Sequence, residues 1–500
     1  MQMPVKRKSE KPGPLNIAFV SSEAAPWVKT GGLGDVAGAL PLALAQAAHK
    51  VRLFVPLYKG VQRDKYKIPL IGTRLKIPVS ARIIQGQALS LKVSEGLEAV
   101  FIEQEGYFSR DGVYLRPGGE DYQDNLERFT FFCRAVLETL LAAGEKPDII
   151  HAHDWQAAAI PAYLKSAYAG YPVFAGARAV VTIHNMGYQG RFHPSQWHVT
   201  GLPWDMFNPG AFEFYGMINL LKGGMAFADA ITTVSPTYAG EILAPEGGFG
   251  LDGFLRNRSH VLSGILNGIG KEEWNPAADR HIKANYSADN MAGKRLCKQA
   301  LVEEMGLEKG DGPLLAVVSR LADGKGMEIL LECIGQALDA GARFVLLGSG
   351  EKALEKKYLE MAATRPGRMA VTIGFNEGLS HRIIAGADIL LVPSRYEPCG
   401  LTQMYALAYG TAPLVRATGG LNDTIHQYDP ETGKGNGFKF HEYSAVALIS
   451  KVSEAMRIYS AGGERWNKMI ESGMREDNSW GHSAQSYVRI YRQTMAAGGR

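Results

Sequence analysis

Short apolar runs and longer amphipathic runs alternate along the chain. In the first half, strands are expected at Leu15–Ser22, Val51–Pro56, Ala99–Glu103, Asp148–Ala152, Ala179–Ile183 and Ala230–Val234. Helical stretches fall between several of them, at Gly34–Ala48, Asp124–Ala143, Ala157–Ser166 and Asn219–Ala228. The alternation then restarts. Leu314–Arg320, Ala342–Gly350, Met369–Phe375, Ala387–Ser394 and Thr411–Ala417 each read as a buried strand that leads into a helix, the first two helices beginning near Lys325 and Glu351. Such alternation builds a parallel sheet covered on both faces. Two series predict an α/β protein with two doubly wound, Rossmann-like parallel-sheet domains. Ligands of such sheets bind at the carboxyl ends of strands, so two facing domains would place a site in the cleft between them.

The expected division is residues 15–265 for the first domain and 266–477 for the second, with the break in the Gly-, Asn- and Pro-rich stretch "LSGILNGIGKEEWNP". Residues 478–500 form one more helix, which Asn478 or Ser479 could cap. Residues 1–14 are expected to be a disordered basic tail: Lys6, Arg7, Lys8 and Lys11 stand against Glu10, with no apolar core of a secretory signal.

Composition narrows the function classes. A net charge of +4 over 500 residues provides no field for nucleic acid or a membrane surface, and no run of 18 apolar residues predicts a span. Cys133, Cys297, Cys333 and Cys399 are far apart, which fits a reducing, cytoplasmic setting.

Candidate chemistry begins with "WVKTGGLGDVAGALP", between a strand and a helix. Gly32-Leu-Gly34-Asp-Val-Ala37 fits a dinucleotide fingerprint, but no Asp or Glu lies between Asp35 and Asp64 to hold a ribose. Eight residues, "EAAPWVKT", also separate the strand from the first glycine. Lys29 precedes the glycines, so a triphosphate loop is excluded as well. What remains is a lysine beside exposed backbone N–H groups at a helix start, an anion site; the alternative is that the glycines serve close helix–sheet packing.

In the second half, Arg320 follows a strand and Lys325 precedes a helix, an arrangement suited to a diphosphate. "PSRYEPCGLTQMYAL" places Glu397 in a loop, where it could bind sugar hydroxyls beside the N–H groups of Cys399, Gly400 and Leu401. Cys399 is read as a packing residue rather than a nucleophile. His151 and His153 form an H-x-H pair without a further ligand at suitable spacing, so no metal site is expected. Asp154 and His184 end neighbouring strands and are read as polar groups facing the ligand. Tyr188, Phe192, Trp197 and Trp204 suit either stacking on a ligand ring or the core and stay unassigned.

"KTGGLGDV", "HAHDW", "TIHNMGYQG", "TVSPTYA", "LNGI", "VSRL…KG", "SRYEPCGLTQMYAL" and "TGGLNDT" occur in this order from about Asn16 to Tyr491. The chain thereby resembles the bacterial-type glycogen synthases and plastid starch synthases. The resemblance implies the GT-B architecture, with the last helix crossing back to the first domain. It implies retaining transfer of glucose from ADP-glucose to the non-reducing end of an α-1,4-glucan (glycogen or starch), with no cofactor. A plastid location is the alternative to cytoplasm.

By the same resemblance, Lys29 of the K-T-G-G motif, with Gly31, Gly32 and Asp35, binds the donor. Arg320 and Lys325 hold the distal phosphate, and Glu397 contacts the donor glucose. His184 and Asp154 surround that glucose, Asn267 adds a hinge-side contact, and Phe375 lies against adenine. Thr418, Gly419 and Gly420 supply a backbone diphosphate site. One position departs from the family: Asp323 stands where relatives often carry glutamine and no acid. Tyr405, where many GT-B transferases carry a second Glu, is as in the glycogen synthase family and argues against the broader group of sucrose- or lipid-directed transferases. The other readings are a retaining GT-B transferase with a different donor or acceptor, and a non-catalytic glucan-binding protein.

Overall fold

The computed structural model describes residues 13–497. The basic tail expected at residues 1–14 lies almost wholly outside them. Two compact units form: one ends at Thr232 and takes in the chain from Ala484 on, and the other runs Thr233–Ser483.

The sheet of the first unit runs in the order Ala230–Thr233, Arg178–Ile183, Ile149–His153, Asn16–Val20, Lys50–Pro56, Leu97–Glu103, Arg82–Ser94, Thr73–Val79. Asn16–Val20 pairs parallel with both Lys50–Pro56 and Ile149–His153. The last two strands break the parallel pattern. Thr73–Val79 and Arg82–Ser94 form an antiparallel hairpin that continues antiparallel onto Leu97–Glu103. Thr73–Val79 is half-solvated, with Leu75, Ile77 and Val79 buried, Lys76 exposed and Pro78 half-buried between them, and Arg74 exposed before them. That period of two marks a strand with one wet face. The chain from Ala484 on is tied to this unit by Tyr491, whose hydroxyl lies 2.7 Å from His151 Nδ1.

The second unit has the order Met369–Ile373, Arg343–Gly348, Leu314–Val318, Ile389–Val392, Ala412–Arg416, Phe438–Phe440, and every pairing is parallel. Counting along the chain this is 3-2-1-4-5-6, the dinucleotide-fold order. Consecutive strand residues feed opposite cores. Leu315, Val317, Phe344, Leu346, Ile389 and Leu391 join one cluster, under the helices Met327–Asp339 and Ala445–Ala461. Leu314, Ala316, Val345, Leu347, Leu390 and Val392 join the other, under Glu377–Gly386 and Ala292–Glu304. Burial on both faces is why these strands read as unbroken apolar runs.

The division at Thr232 precedes the expected one at 265. The cause is the helix Pro236–Glu241, which docks on Gly419–Thr424. The Asp423 carboxylate accepts from Thr237 N–H at 2.8 Å and from its hydroxyl at 2.6 Å, and Ser235 donates to the Pro398 carbonyl at 2.7 Å. Among the described residues no helix is long and apolar enough to cross a membrane.

Candidate functional site

In the second unit the strand order reverses between Leu314–Val318 and Ile389–Val392, which are hydrogen-bonded neighbours. Ligands of open α/β sheets bind at such a switch point, off the carboxyl ends of the strands. The loops leaving these two strands carry Arg320 and Lys325, and Ser394 and Glu397. Lys325 Nζ lies 2.6 Å from Glu397 Oε2, and the Ser394 hydroxyl donates to the same oxygen at 2.9 Å. Both partners of the ion pair are largely withdrawn from water. Arg320 is exposed and makes no ion pair among the described residues. Its guanidinium is therefore available to an incoming anion.

Backbone geometry sets the distance between the loops. Gly326 has φ +72°, and a Cβ there would lie 2.0 Å from the Pro393 carbonyl oxygen. No side chain fits, so the start of the helix Met327–Asp339 comes directly against the Pro393–Glu397 loop. Asp323 makes no ion pair with Lys325 among the described residues; it is exposed, and its N–H donates to Glu351 at 2.9 Å.

Cys399 is buried, and burial pushes its thiol up to about 12. The packing reading stands, since a thiol that stays protonated is no nucleophile. The Gln403 amide donates to the carbonyls of Cys399 at 3.1 Å and Gly400 at 3.0 Å, which fixes the turn before Leu401. Asn267 is buried, with its side-chain oxygen unpartnered. Phe375 is 87 % exposed, on the loop after Met369–Ile373. A bare aromatic face of that kind suits stacking on a ring.

The backbone donors at Thr418–Gly420 are already engaged. The Glu241 carboxylate accepts from the Thr418 hydroxyl at 2.9 Å and from Gly419 N–H at 3.0 Å. Gly420 N–H is directed at the carbonyls of Glu397 and Pro398, at 3.2 and 3.1 Å. The N–H of Gly420, expected at the diphosphate, holds the Glu397 loop here. Thr418 and Gly419 do hold an anionic group, but it is the protein's own.

In the first unit, Lys29 Nζ pairs with Asp35 Oδ1 at 2.6 Å, half exposed. The sequence reading missed Glu23. Its carboxylate accepts from Thr30 N–H at 2.5 Å, the Thr30 hydroxyl at 2.6 Å, Gly31 N–H at 3.2 Å and the Tyr114 hydroxyl at 2.6 Å. Gly31 N–H, expected at the donor, is thus directed at Glu23. Gly32 opens the helix Gly32–Gln46, and its N–H has no acceptor within the helix. The Glu23 signal was readable only in hindsight: an acid just past a strand, seven residues before Thr30.

Asp154 follows the strand Ile149–His153 with φ +54° and is buried. Burial raises its carboxyl to about 7, although His184 N–H donates to it at 2.7 Å. His184 Nε2 lies 2.9 Å from His153 Nδ1, and burial lowers His184 to about 3. His151 and His153 are fully buried in the strand, and His151 Nε2 lies 2.6 Å from the Thr182 hydroxyl. These three imidazoles are neutral at ordinary pH and lie in a row, His153 hydrogen-bonded to His184 and packed ring against ring on His151 at 4.0 Å between centroids. Of the unassigned aromatics, Trp197 is buried and Phe192 half-buried, whereas Tyr188 and Trp204 are exposed.

Residues 16–257 match the starch synthase catalytic domain family, and residues 302–475 match the glycosyl transferases group 1 family. The chain is 47% identical over 485 residues to a glycogen synthase of Anaeromyxobacter sp. (strain Fw109-5), covering 96% of this chain and 100% of the relative. It is 44% identical to the glycogen synthase of Myxococcus xanthus (strain DK1622), with the same coverages. The structure is similar to the catalytic domain of starch synthase IV from Arabidopsis thaliana bound to ADP and acarbose, with TM-score 0.89, 34% identity, and coverage of 97% of this chain and 100% of that one. A sucrose-phosphate synthase from Thermosynechococcus elongatus shares the fold at TM-score 0.58 and 18% identity.

Proposed function

Because the chain belongs to the family of glycogen synthases and starch synthases, which are glycosyltransferases, we propose that it transfers glucose from ADP-glucose to the non-reducing end of an α-1,4-glucan. ADP is released and the anomeric configuration is retained. The observation that carries the reading is the meeting of Lys325 and Glu397 at 2.6 Å at the switch point of the second unit. The cation faces the leaving phosphate, and the carboxylate faces the sugar. The ADP and acarbose held by the Arabidopsis relative support an adenine nucleotide and a saccharide as ligands.

In this reading the bond from glucose C1 to the distal phosphate oxygen breaks, and negative charge gathers on ADP. Arg320 and Lys325 stabilise that charge as it develops, which lowers the barrier. No resident cofactor or metal is needed for this step. The acceptor 4-hydroxyl approaches the face that the phosphate leaves, and its proton passes to the departing phosphate oxygen. Glu397 orients the sugar and faces the positive charge at C1, and Ser394 holds Glu397. Lys29 and Gly32 N–H contact the glucosyl-phosphate end of the donor, with Asp35 positioning Lys29. Phe375 stacks on adenine, and Asp154 and His184 hydrogen-bond the glucose hydroxyls. Thr418 and Gly419 reach the diphosphate only if Glu241 yields its place to it.

Lys325→Ala and Glu397→Ala are each expected to lower turnover by at least ~10²-fold, the size of losing one transition-state donor. Initial rates of glucose incorporation into glycogen from ADP-glucose measure this. Near-wild-type rates in either variant contradict the assignments. Trapping a glucosyl adduct on Glu397 contradicts the front-face route. Substituting UDP-glucose in the assay separates this reading from a transferase of other donor preference.

A further inference from the structure

The second unit contains a group of metal-ligating atoms that the transfer reaction does not use. A ring nitrogen of His381 and carboxylate oxygens of Glu273 and Glu377 lie within 4.8 Å of one another. Glu377 and His381 are four residues apart on the helix Glu377–Gly386 and so share one face of it. Glu273 comes from the turn just before Trp274, whose ring stacks on the His381 imidazole at 3.9 Å and 11°. Trp274 also stacks on Tyr405 at 3.7 Å, so the imidazole plane is fixed by a three-ring pile.

The tautomer is fixed as well. His381 Nδ1 is 2.7 Å from Asp279 Oδ2, an oxygen that also accepts from the Tyr409 hydroxyl at 2.6 Å. Asp279 keeps the proton on Nδ1, so Nε2 presents a lone pair. Carboxylate–histidine pairs orient metal ligands in this way. His381 is 1 % exposed, and its Nε2 is buried without a hydrogen-bond partner. A buried lone pair left unmet is costly, and native structures rarely keep one without a bound water or ion. Nε2 is the nitrogen left for the two carboxylates. Ligands of a tetrahedral ion with bonds of ~2.0–2.2 Å stand about 3.5 Å apart, so the two exposed carboxylates reach the ion by small side-chain rotations from within 4.8 Å.

We propose that Glu273, Glu377 and His381 bind one divalent transition-series cation of the Zn²⁺ type. Imidazole with two carboxylates favours such an ion over Mg²⁺ or Ca²⁺, which prefer all-oxygen shells. Water completes the coordination on the exposed side. The ion pins the turn at Glu273 to the first turn of the helix Glu377–Gly386, two residues beyond the exposed ring of Phe375. The site thereby restrains the loop that carries that ring.

The test is titration of Zn²⁺ into the full-length protein, stripped of metal, against a competing chromophoric chelator. Both glutamates are exposed, so the double variant Glu273→Gln, Glu377→Gln keeps the core intact. The wild type is expected to take up one equivalent with a rise in thermal midpoint. The double variant is expected to bind at least ~10-fold more weakly, with that rise abolished. Equal affinity in the double variant overturns the proposal, because the metal is then held elsewhere. Absence of Zn²⁺ uptake by the wild type also overturns it, because Nε2 then meets only a bridging water.

Discussion

The Asp154 carboxyl changes charge close to neutral pH because it is buried at a strand end, with its pKa raised to about 7. If its ionised form receives a hydroxyl of the bound sugar, kcat/KM rises with pH through about 7. Asp154→Asn is expected to remove that rising limb and leave a flat profile below pH 8. An unchanged limb in the variant contradicts the role. Within each unit, the sequence identified candidate residues but not what they already hold. Lys29, Asp154, His184, Lys325 and Glu397 all sit at carboxyl ends of strands, which the apolar runs before them made legible. Whether an N–H is open or taken depends on residues distant in the chain. Glu241 claims Gly419 from well over a hundred residues away. Spacing carries no signal for such pairings.

At the level of elements, the start of the helix Gly419–Thr424 is the most exacting junction. Gly419 has φ +43°, and a Cβ there would lie 2.0 Å from the Glu397 carbonyl oxygen. Gly419→Ala is expected to cost about 1–3 kcal/mol from backbone strain alone. It also displaces the Glu397 loop, so turnover and thermal midpoint fall together; a variant that keeps both contradicts the close packing. Strands buried on both faces were legible as apolar runs. The hairpin Thr73–Val79 and Arg82–Ser94 was not, because its one wet face intersperses charges and Pro78 interrupts the pattern. The Glu377–His381 pair was equally hidden: a four-residue spacing is common on helices, and only the fold brings Glu273 to it.

For the molecule as a whole, the neutral imidazoles set a pH dependence of stability. Burial lowers His151 and His184 from 6.5 to about 3, and His153 shifts the same way. A lowered histidine contributes stability that is fully present above pH 6.5 and is lost as pH falls towards its folded value. Asp154 acts in the opposite sense, losing stability as pH rises from 3.8 to about 7. Three imidazoles outweigh one carboxyl, so the thermal midpoint is expected to rise from pH 5 to pH 6.5, and more steeply in Asp154→Asn. A midpoint that is flat or falls across that range contradicts the buried neutral row.

The central claim is that this chain moves glucose from ADP-glucose onto a glucan, with the Lys325 and Glu397 pair at the reacting centre. Its most direct test is the initial rate of labelled glucose incorporation into glycogen, from ADP-glucose and from UDP-glucose, for wild type and Lys325→Ala. The account predicts incorporation with ADP-glucose well above that with UDP-glucose, and a loss of at least ~10²-fold in the variant. Equal use of both donors, or a variant as fast as wild type, would contradict it.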